Sequence, residues 1–289
     1  MTQYLPRPYQ PRITDFVFKN PRCYVAASMG VGKSPALLQA VSDLLLFGET
    51  ERVLILAPKR VAQSTWPGEI QKFKSSFGHM SLAVAIGDAN TRHAAIRSGA
   101  QITTCNFENL VWLVENYGES WPFTMIIVDE ATRISGLRVS IQTSKLGKKF
   151  LTGQGGSRAK ALARVALSRT TRFVCLSGTP APNGLEQLWG QYFFLDTGLR
   201  LGTSFTGFSQ RWFRTIPGAD AHSGRIEPLP YADEQIRAAI KDITIAIEAK
   251  DHFDLPPLIE NIIKVELPPA ARKQYKEMEK ELFTWIQEN

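Results

Sequence analysis

Cysteine is scarce in this chain of 289 residues. There are three, Cys23, Cys105 and Cys175, set far apart and each in or beside an apolar, β-favouring run. That distribution predicts buried thiols in a reducing compartment rather than a disulfide framework. Histidine is equally thin. His79, His93, His222 and His252 show no ligand spacing with cysteine or with one another, so no zinc site is assigned. No apolar run approaches the roughly 20 residues that a membrane-spanning helix requires. The N-terminal segment, with Arg7, Arg12 and three early prolines, has no signal-peptide core. An intracellular protein with no membrane partner is therefore expected. Internal repeats and low-complexity tracts are missing too, and the length suits one large or two modest domains with a substantial core. Acidic residues fall short of basic ones, leaving a net charge of +7 that favours an anionic partner.

What is present is organised around Ala27-Ser28-Met29-Gly30-Val31-Gly32-Lys33-Ser34. The stretch before it, Cys23 to Ala27, is short and apolar and suits a buried parallel strand. The stretch after it is helical, because Leu37, Leu38, Val41, Leu44 and Leu45 share one face and Gly48 is a natural stop. Pro35 fits the first turn, where its missing N–H has no partner to lose. Gly30 and Gly32 permit unusual backbone angles, so that several amides can converge on phosphate oxygens. The helix N-terminus adds partial positive charge, Lys33 a full one, and Ser34 can hold a Mg²⁺ ion that bridges the phosphates.

Other apolar runs alternate with helical stretches. Strands are expected at Val53 to Ala57, Leu82 to Ile86, Ile102 to Cys105, Met125 to Val128, Phe173 to Leu176 and Ile259 to Leu267. Helices are expected before the first strand, on Ile13, Phe16 and Val17, and then near 61–73, 91–97, 107–116 and 157–168. This alternation implies a mostly parallel sheet with helices on both faces, its chemistry at the carboxyl ends of the strands. Asp129-Glu130 follows the strand ending at Val128, so one acid can enter a Mg²⁺ shell while the other orients a water. Between Arg133 and Arg172 there are ten lysines and arginines and no acidic residue. The first half of that run reads as a long exposed loop, 133–156, with Ser157 capping the helix behind it; the charge would suit a nucleic-acid backbone. A second polar turn, Ser177-Gly178-Thr179-Pro180, follows the next strand to the same edge. The aromatics from Trp189 to Phe213 read as core, and 214–230 as a loop or insertion.

Assembled, these stretches resemble the first motor lobe of helicase superfamily two, with DEAD/DEAH-box relatives, and most closely the Swi/Snf-like DNA translocases. Arg7-Pro8-Tyr9-Gln10 looks like that family's adenine-reading motif, Ala27 to Ser34 its phosphate loop, and Asp129-Glu130-Ala131-Thr132 its Asp-Glu-Ala-His. Ala57-Pro58-Lys59 with Trp66 and Glu69, and Thr103-Thr104 with Phe107-Glu108, are similar to its nucleic-acid-contacting segments. Leu176 to Asn183 resembles Leu-Thr-Gly-Thr-Pro-x-x-Asn. The resemblance implies a RecA-like P-loop NTPase lobe with a C-terminal helical extension, binding ATP and Mg²⁺. It implies nucleotide contacts from Arg7, Gln10, Met29, Gly30, Val31, Gly32, Lys33 and Ser34, with Ser34 and Asp129 on the metal. Lys33 and Glu130 would be catalytic, and Thr132, Ser177, Gly178 and Thr179 would couple nucleotide state to movement. Lys59, Arg60 and Thr104 would lie along double-stranded DNA.

Two departures carry expectations of their own. Thr132 stands where the family usually has His, so that coupling would pass through a hydroxyl or be altered. A second lobe, which would complete the ATP site with arginines, is not found in the sequence, so a partner lobe in cis or in trans is expected. Residues 1–267 are assigned to the ATP-binding lobe, with 184–250 a helical elaboration, and 268–289 to a connector. The function implied is an ATP-driven motor lobe of a DNA-dependent ATPase, with poor hydrolysis in isolation. The alternatives are a nucleotide-dependent DNA-binding module without motor activity and an RNA-directed relative.

Overall fold

Runs of apolar, β-favouring residues shorter than a helix needs, separated by helical periodicity, become strands and crossover helices in the computed structural model. It describes residues 2–143, 149–216, 225–252 and 265–288. The first half of the chain comprises α1 (Gln10–Lys19), β1 (Arg22–Ala27), α2 (Lys33–Leu46), β2 (Val53–Ala57), α3 (Trp66–Lys72), α4 (Lys74–Phe77), β3 (Leu82–Val84), α5 (Ala89–Arg97), β4 (Ile102–Asn106), α6 (Leu110–Tyr117) and β5 (Met125–Asp129). There follow β6 (Leu137–Thr143), β7 (Lys149–Gly155), α7 (Ser157–Ala166), β8 (Arg172–Ser177), α8 (Glu186–Asp196), α9 (Phe205–Trp212), β9 (Phe213–Ile216), β10 (Arg225–Pro228), α10 (Ala232–Ile240), β11 (Thr244–Ile247) and α11 (Pro269–Glu288).

Seven strands form one sheet in the order β11-β1-β8-β5-β2-β4-β3, and every neighbouring pair is parallel. β2 and β4 are buried along their whole length, which is why they read as unbroken apolar or small-residue runs. Each face of the sheet carries its own apolar layer. On one, α1 and α2 contribute Ile13, Val17, Leu37, Leu38, Val41 and Leu44. On the other, α6, α7 and α8 contribute Leu110, Leu113, Leu162, Trp189, Tyr192 and Phe193. Truncating any one of these fully buried side chains to alanine costs about 2–5 kcal/mol, because the walls around it relax only partly. α2 begins behind Gly32, whose φ of +73° is a left-handed turn into the helix. α5 begins under Asp88, whose carboxylate accepts a hydrogen bond from Thr91 N at 2.8 Å.

Several expectations need correction. The basic stretch after Arg133 is no long loop: β6 and β7 pair antiparallel, with Leu137 and Val139 buried against the core. The alternation Leu137, Val139, Ile141 carries that strand, and the intervening charge obscured it. Gly156 occupies the cap position of α7 and Ser157 is its first residue, with no side-chain cap bond. The helix expected from Val61 opens as a wide turn over Val61–Thr65 before α3. β9 and β10 form a hairpin inside the stretch read as a loop. β11 was missed although Ile243, Ile245 and Ile247 alternate; it is a short edge strand on β1. The strand expected over Ile259 to Leu267 lies outside the described residues up to position 264, and Val265 to Leu267 are not in a strand.

The aromatics from Trp189 to Phe213 are core, as read: all but the partly buried Phe205 are among the buried residues. The three cysteines are buried and free. Burial pushes the thiols of Cys23 and Cys105 up to about 12, so neither offers a thiolate. No described helix is long and apolar enough to cross a membrane. By its internal contacts the chain divides into Met1–Phe253, which holds both apolar layers, and Asp254–Asn289, which contains α11.

Candidate nucleotide site

Three adjacent strands, β1, β8 and β5, end at the same edge of the sheet. β1 runs into the glycine turn, β8 into Ser177-Gly178-Thr179, and β5 into Asp129-Glu130. Register brings them together: Ala26 pairs with Ser177, and Asp129 with Leu176. The junctions are bonded directly. Glu130 N donates to Leu176 O at 3.1 Å, Thr179 N to Ser177 Oγ at 3.1 Å, and Ser28 N to Ile247 O at 3.0 Å. The missed strand β11 thus braces the root of the turn.

The turn itself is held from the N-terminal side. Gln10, buried on α1, donates through Nε2 to Val31 O and Gly32 O, both at 3.1 Å. Its Oε1 accepts from Tyr4 Oη at 3.0 Å and Arg7 N at 2.8 Å. Tyr9 donates to Val31 O at 3.0 Å and stacks on His252 with ring centres 4.3 Å apart. Burial, with Tyr9 and Glu69 nearby, pushes the Tyr4 hydroxyl up to about 12, so it remains a donor. Gln10 therefore clamps the loop, a load that its place in the sequence motif did not disclose. A side chain at position 32 would run into that clamp: its Cβ would stand 2.3 Å from Gln10 Nε2.

A cavity of about 480 Å³ opens over the turn, lined at one end by Gly30, Gly32, Lys33, Ser34, Asp129 and Glu130, with Met29 beside them. Val31 is fully buried beneath, and Met29 is largely exposed. Lys33 Nζ donates to Ala27 O at 2.7 Å and Ser28 O at 3.2 Å, so its ammonium sits over the loop. Burial lowers its pKa, and the nearby Asp129 and Glu130 charges oppose that. Burial holds the Asp129 carboxyl above its ordinary value, although the hydrogen bond from Trp66 Nε1 at 3.1 Å and the Lys33 charge pull the other way. Trp66 as the partner of Asp129 carried no signal in the sequence beyond its apolar spacing. Glu130 has φ +77°, ψ +64°, a left-handed backbone rare for a side-chain-bearing residue and concentrated at functional turns.

This set of groups fits a nucleotide with its cation. Burial disfavours the charged form of Asp129, and a cation arriving beside it would oppose that effect. Among the described residues no three His, Cys, Asp or Glu side chains converge as a metal cage. Magnesium is commonly held otherwise, by one or two protein oxygens together with water and substrate phosphates.

The other expected residues fall as follows. Ser177 is buried, Gly178 and Thr132 are partly covered, and Thr179 is exposed at the same edge. Arg7, Lys59 and Arg60 are exposed, the last two immediately after β2. Thr104 is withdrawn as a backbone contact. It is fully buried within β4, and its hydroxyl meets no partner among the described residues and no solvent.

A parallel sheet flanked by helices, with its charged groups gathered where β1, β8 and β5 end, is a RecA-like lobe. The chain belongs to the DEAD/DEAH box helicase family, whose profile matches residues 7–188. It is 44% identical to "Putative protein p41" of Acyrthosiphon pisum secondary endosymbiont phage 1 over 291 aligned residues, covering all of this chain and 60% of that one. It is 24% identical to the mouse "DNA excision repair protein ERCC-6-like" over 184 residues, or 62% of this chain and 13% of that protein. The "Sulfolobus solfataricus SWI2/SNF2 ATPase core in complex with dsDNA" shares its fold, with a TM-score of 0.64, 22% identity, and coverage of 99% of this chain and 54% of that one. The likeness to the Sulfolobus core is one of fold, and the chain spans 60% of the phage protein, 54% of the Sulfolobus core and 13% of the mouse protein.

Proposed function

We propose that this chain is the ATP-binding first motor lobe of a DNA-dependent ATPase that couples hydrolysis to movement on double-stranded DNA. The observation that carries this reading is that Lys33 and Ser34, beyond β1, and Asp129 and Glu130, at the end of β5, line one cavity on either side of β8. Lys33 binds β- and γ-phosphate oxygens, and the backbone amides of Gly30 to Ser34 cradle them at the start of α2. Ser34 and Asp129 hold magnesium, which supplies neutralisation of the phosphate charge. Glu130 positions the attacking water and accepts its proton. Thr132, Ser177, Gly178 and Thr179 sense nucleotide state from the adjoining turns.

The partner side of the proposal rests on the exposed Lys59 and Arg60 at the same edge, the net charge of +7, and kinship with a core solved on duplex DNA. Phosphate contacts of this kind carry little base-sequence information. A second RecA-like lobe, in cis or in trans, completes the site; the 54% coverage of the Sulfolobus core supports that expectation. An arginine supplied by such a lobe contributes about 10³- to 10⁵-fold in related phosphoryl-transfer enzymes. Buried free thiols support an intracellular setting.

The test is ATP binding and turnover with no polymer, duplex DNA, single-stranded DNA and RNA, using Lys33→Ala as the blank. Magnesium-dependent ATP binding that the blank loses, with turnover stimulated by duplex above the other polymers, is expected. ATP affinity equal in the blank refutes the site. Binding without polymer-stimulated turnover, even when a second lobe is supplied, reduces the chain to a nucleotide-dependent binding module.

A further inference from the structure

Three buried tryptophans spend their indole N–H groups in two different ways. Trp189 donates to Gly202 O at 3.0 Å and Trp212 to Gln235 Oε1 at 3.1 Å. A buried indole needs such an acceptor, and neither of these lines the nucleotide cavity, so both bonds serve packing. Trp66, fully shielded from solvent, donates instead to Asp129 Oδ2 at 3.1 Å, and Asp129 does line that cavity. Trp66 itself is not among the lining residues, so it holds the carboxylate from behind. With Oδ2 taken, the second oxygen is left for a cation. Partners of this outer kind orient the groups that bind metal, and losing one typically costs about 10- to 100-fold in metal affinity.

The backbone of the same residue closes a second structure. Beyond β2 the chain passes through Pro58 and the exposed Lys59 and Arg60, then through the wide turn Val61–Thr65, which ends with Trp66 N donating to Val61 O. Turns of this winding are rare and occur often at functional positions. Val61 and Thr65 line the nucleotide cavity. Two exposed cations therefore enter the turn at one end, and the residue that holds Asp129 leaves it at the other. We propose that Trp66 is a positioning residue that couples the two sites: DNA held at Lys59 and Arg60 shifts the turn, and the turn moves the indole that orients Asp129. This assignment rests on the nucleotide and DNA readings above and adds the route between them, so that duplex alters the affinity for nucleotide bound with magnesium.

The test compares the whole chain in wild-type form, as Trp66→Phe, and with Trp66 replaced by β-(3-benzothienyl)alanine, which keeps both fused rings and carries sulfur in place of the N–H. Calorimetry gives the affinity for a non-hydrolysable ATP analogue in magnesium and in chelator, each with and without duplex DNA. Wild type gains affinity from magnesium, and duplex changes that gain. Both forms without the N–H lose about tenfold or more of the gain, keep the affinity measured in chelator, and no longer respond to duplex. A packing role alone would spare the benzothienyl form, whose shape is unchanged, so wild-type responses in that form overturn the assignment even if Trp66→Phe does not fold. A magnesium gain that falls while the duplex response survives overturns the coupling, as does a wild type that binds duplex and nucleotide independently. The underlying readings fail separately and in wild type. Affinity that ignores magnesium overturns the nucleotide reading, and duplex that does not bind, by fluorescence anisotropy, overturns the DNA reading.

Discussion

The two edges of the parallel sheet both bury charge, and they treat it in opposite ways. At the amino edge, Arg22 opens β1 and donates to Phe194 O at 2.8 Å and Ala166 O at 2.6 Å, with Thr170 O also accepting. Arg172 opens β8 and donates to Phe18 O at 3.1 Å and Glu49 Oε2 at 2.9 Å. These guanidiniums use their fixed forks to tie helix ends and loops to the sheet. At the carboxyl edge, the Asp129 carboxyl is held above its ordinary range by burial, Lys33 rests on carbonyls of its own loop, and Glu69 keeps an oxygen without a donor. Burial of charge is therefore no sign of function by itself.

The comparison predicts that substitutions at the two edges move different observables. The largest effect belongs to Glu130→Gln. Turnover by the assembled motor should fall by about 10²- to 10⁴-fold, the usual worth of a general base, while ATP affinity stays nearly unchanged; undiminished steady-state turnover would remove Glu130 from the chemistry. Arg172→Met should lower unfolding free energy by about 2–3 kcal/mol, because carbonyls it served are left unpaired. Denaturant melts would show that loss, and titration calorimetry would show ATP affinity unaltered. A matching loss of affinity would erase the distinction between the edges.

Gly32→Ala combines both kinds of effect on one residue. Its φ of +73° disfavours a side chain, and the new Cβ meets Gln10 Nε2. Strain of about 1–2 kcal/mol should appear in the melt, together with weakened ATP binding as the Gln10 clamp shifts; retained affinity would show that the clamp does not shape the loop.

The smallest effect has the opposite sign. Because burial raises the Asp129 pKa, the folded state holds that proton more tightly than the unfolded state does. The stability it contributes is present at low pH and is lost as pH rises through the raised value. Asp129→Asn should therefore leave stability unchanged below the ordinary value of 3.8 and stabilise the nucleotide-free protein at neutral pH, by on the order of 1 kcal/mol. Melts across that range would show the gap opening as pH rises. A gap that is absent or inverted would mean that Lys33 and Trp66 already compensate the buried charge.

The sheet and its site were legible wherever a residue's local chemistry agreed with its tertiary role. The glycine turn, Lys33-Ser34 and Asp129-Glu130 each follow an apolar run, so their place at strand ends could be read from neighbours alone. β11 was hidden because four residues, with only Ile245 and Ile247 apolar and branched, make a weak strand until β1 pairs with them. The β6–β7 hairpin was hidden by charge, since the run of basic residues in that part of the sequence outweighed the alternation of Leu137, Val139 and Ile141. Gln10's clamp and the Trp66–Asp129 bond join positions 21 and 63 residues apart, and nothing local to either partner announces them. Thr104 misled for the converse reason: a hydroxyl in a motif-like pair says nothing about which side of a buried strand it occupies.

The measurement that bears most directly on the contrast between the edges is the thermal melt of wild type, Lys33→Ala and Arg172→Met, each with and without magnesium and a non-hydrolysable ATP analogue. Ligand at 100 times its dissociation constant stabilises the folded state by about 2.7 kcal/mol. Wild type and Arg172→Met should rise by the same amount from different starting points, and Lys33→Ala should not rise. An equal rise in Lys33→Ala, or none in wild type, would contradict the assignment of the carboxyl edge to nucleotide.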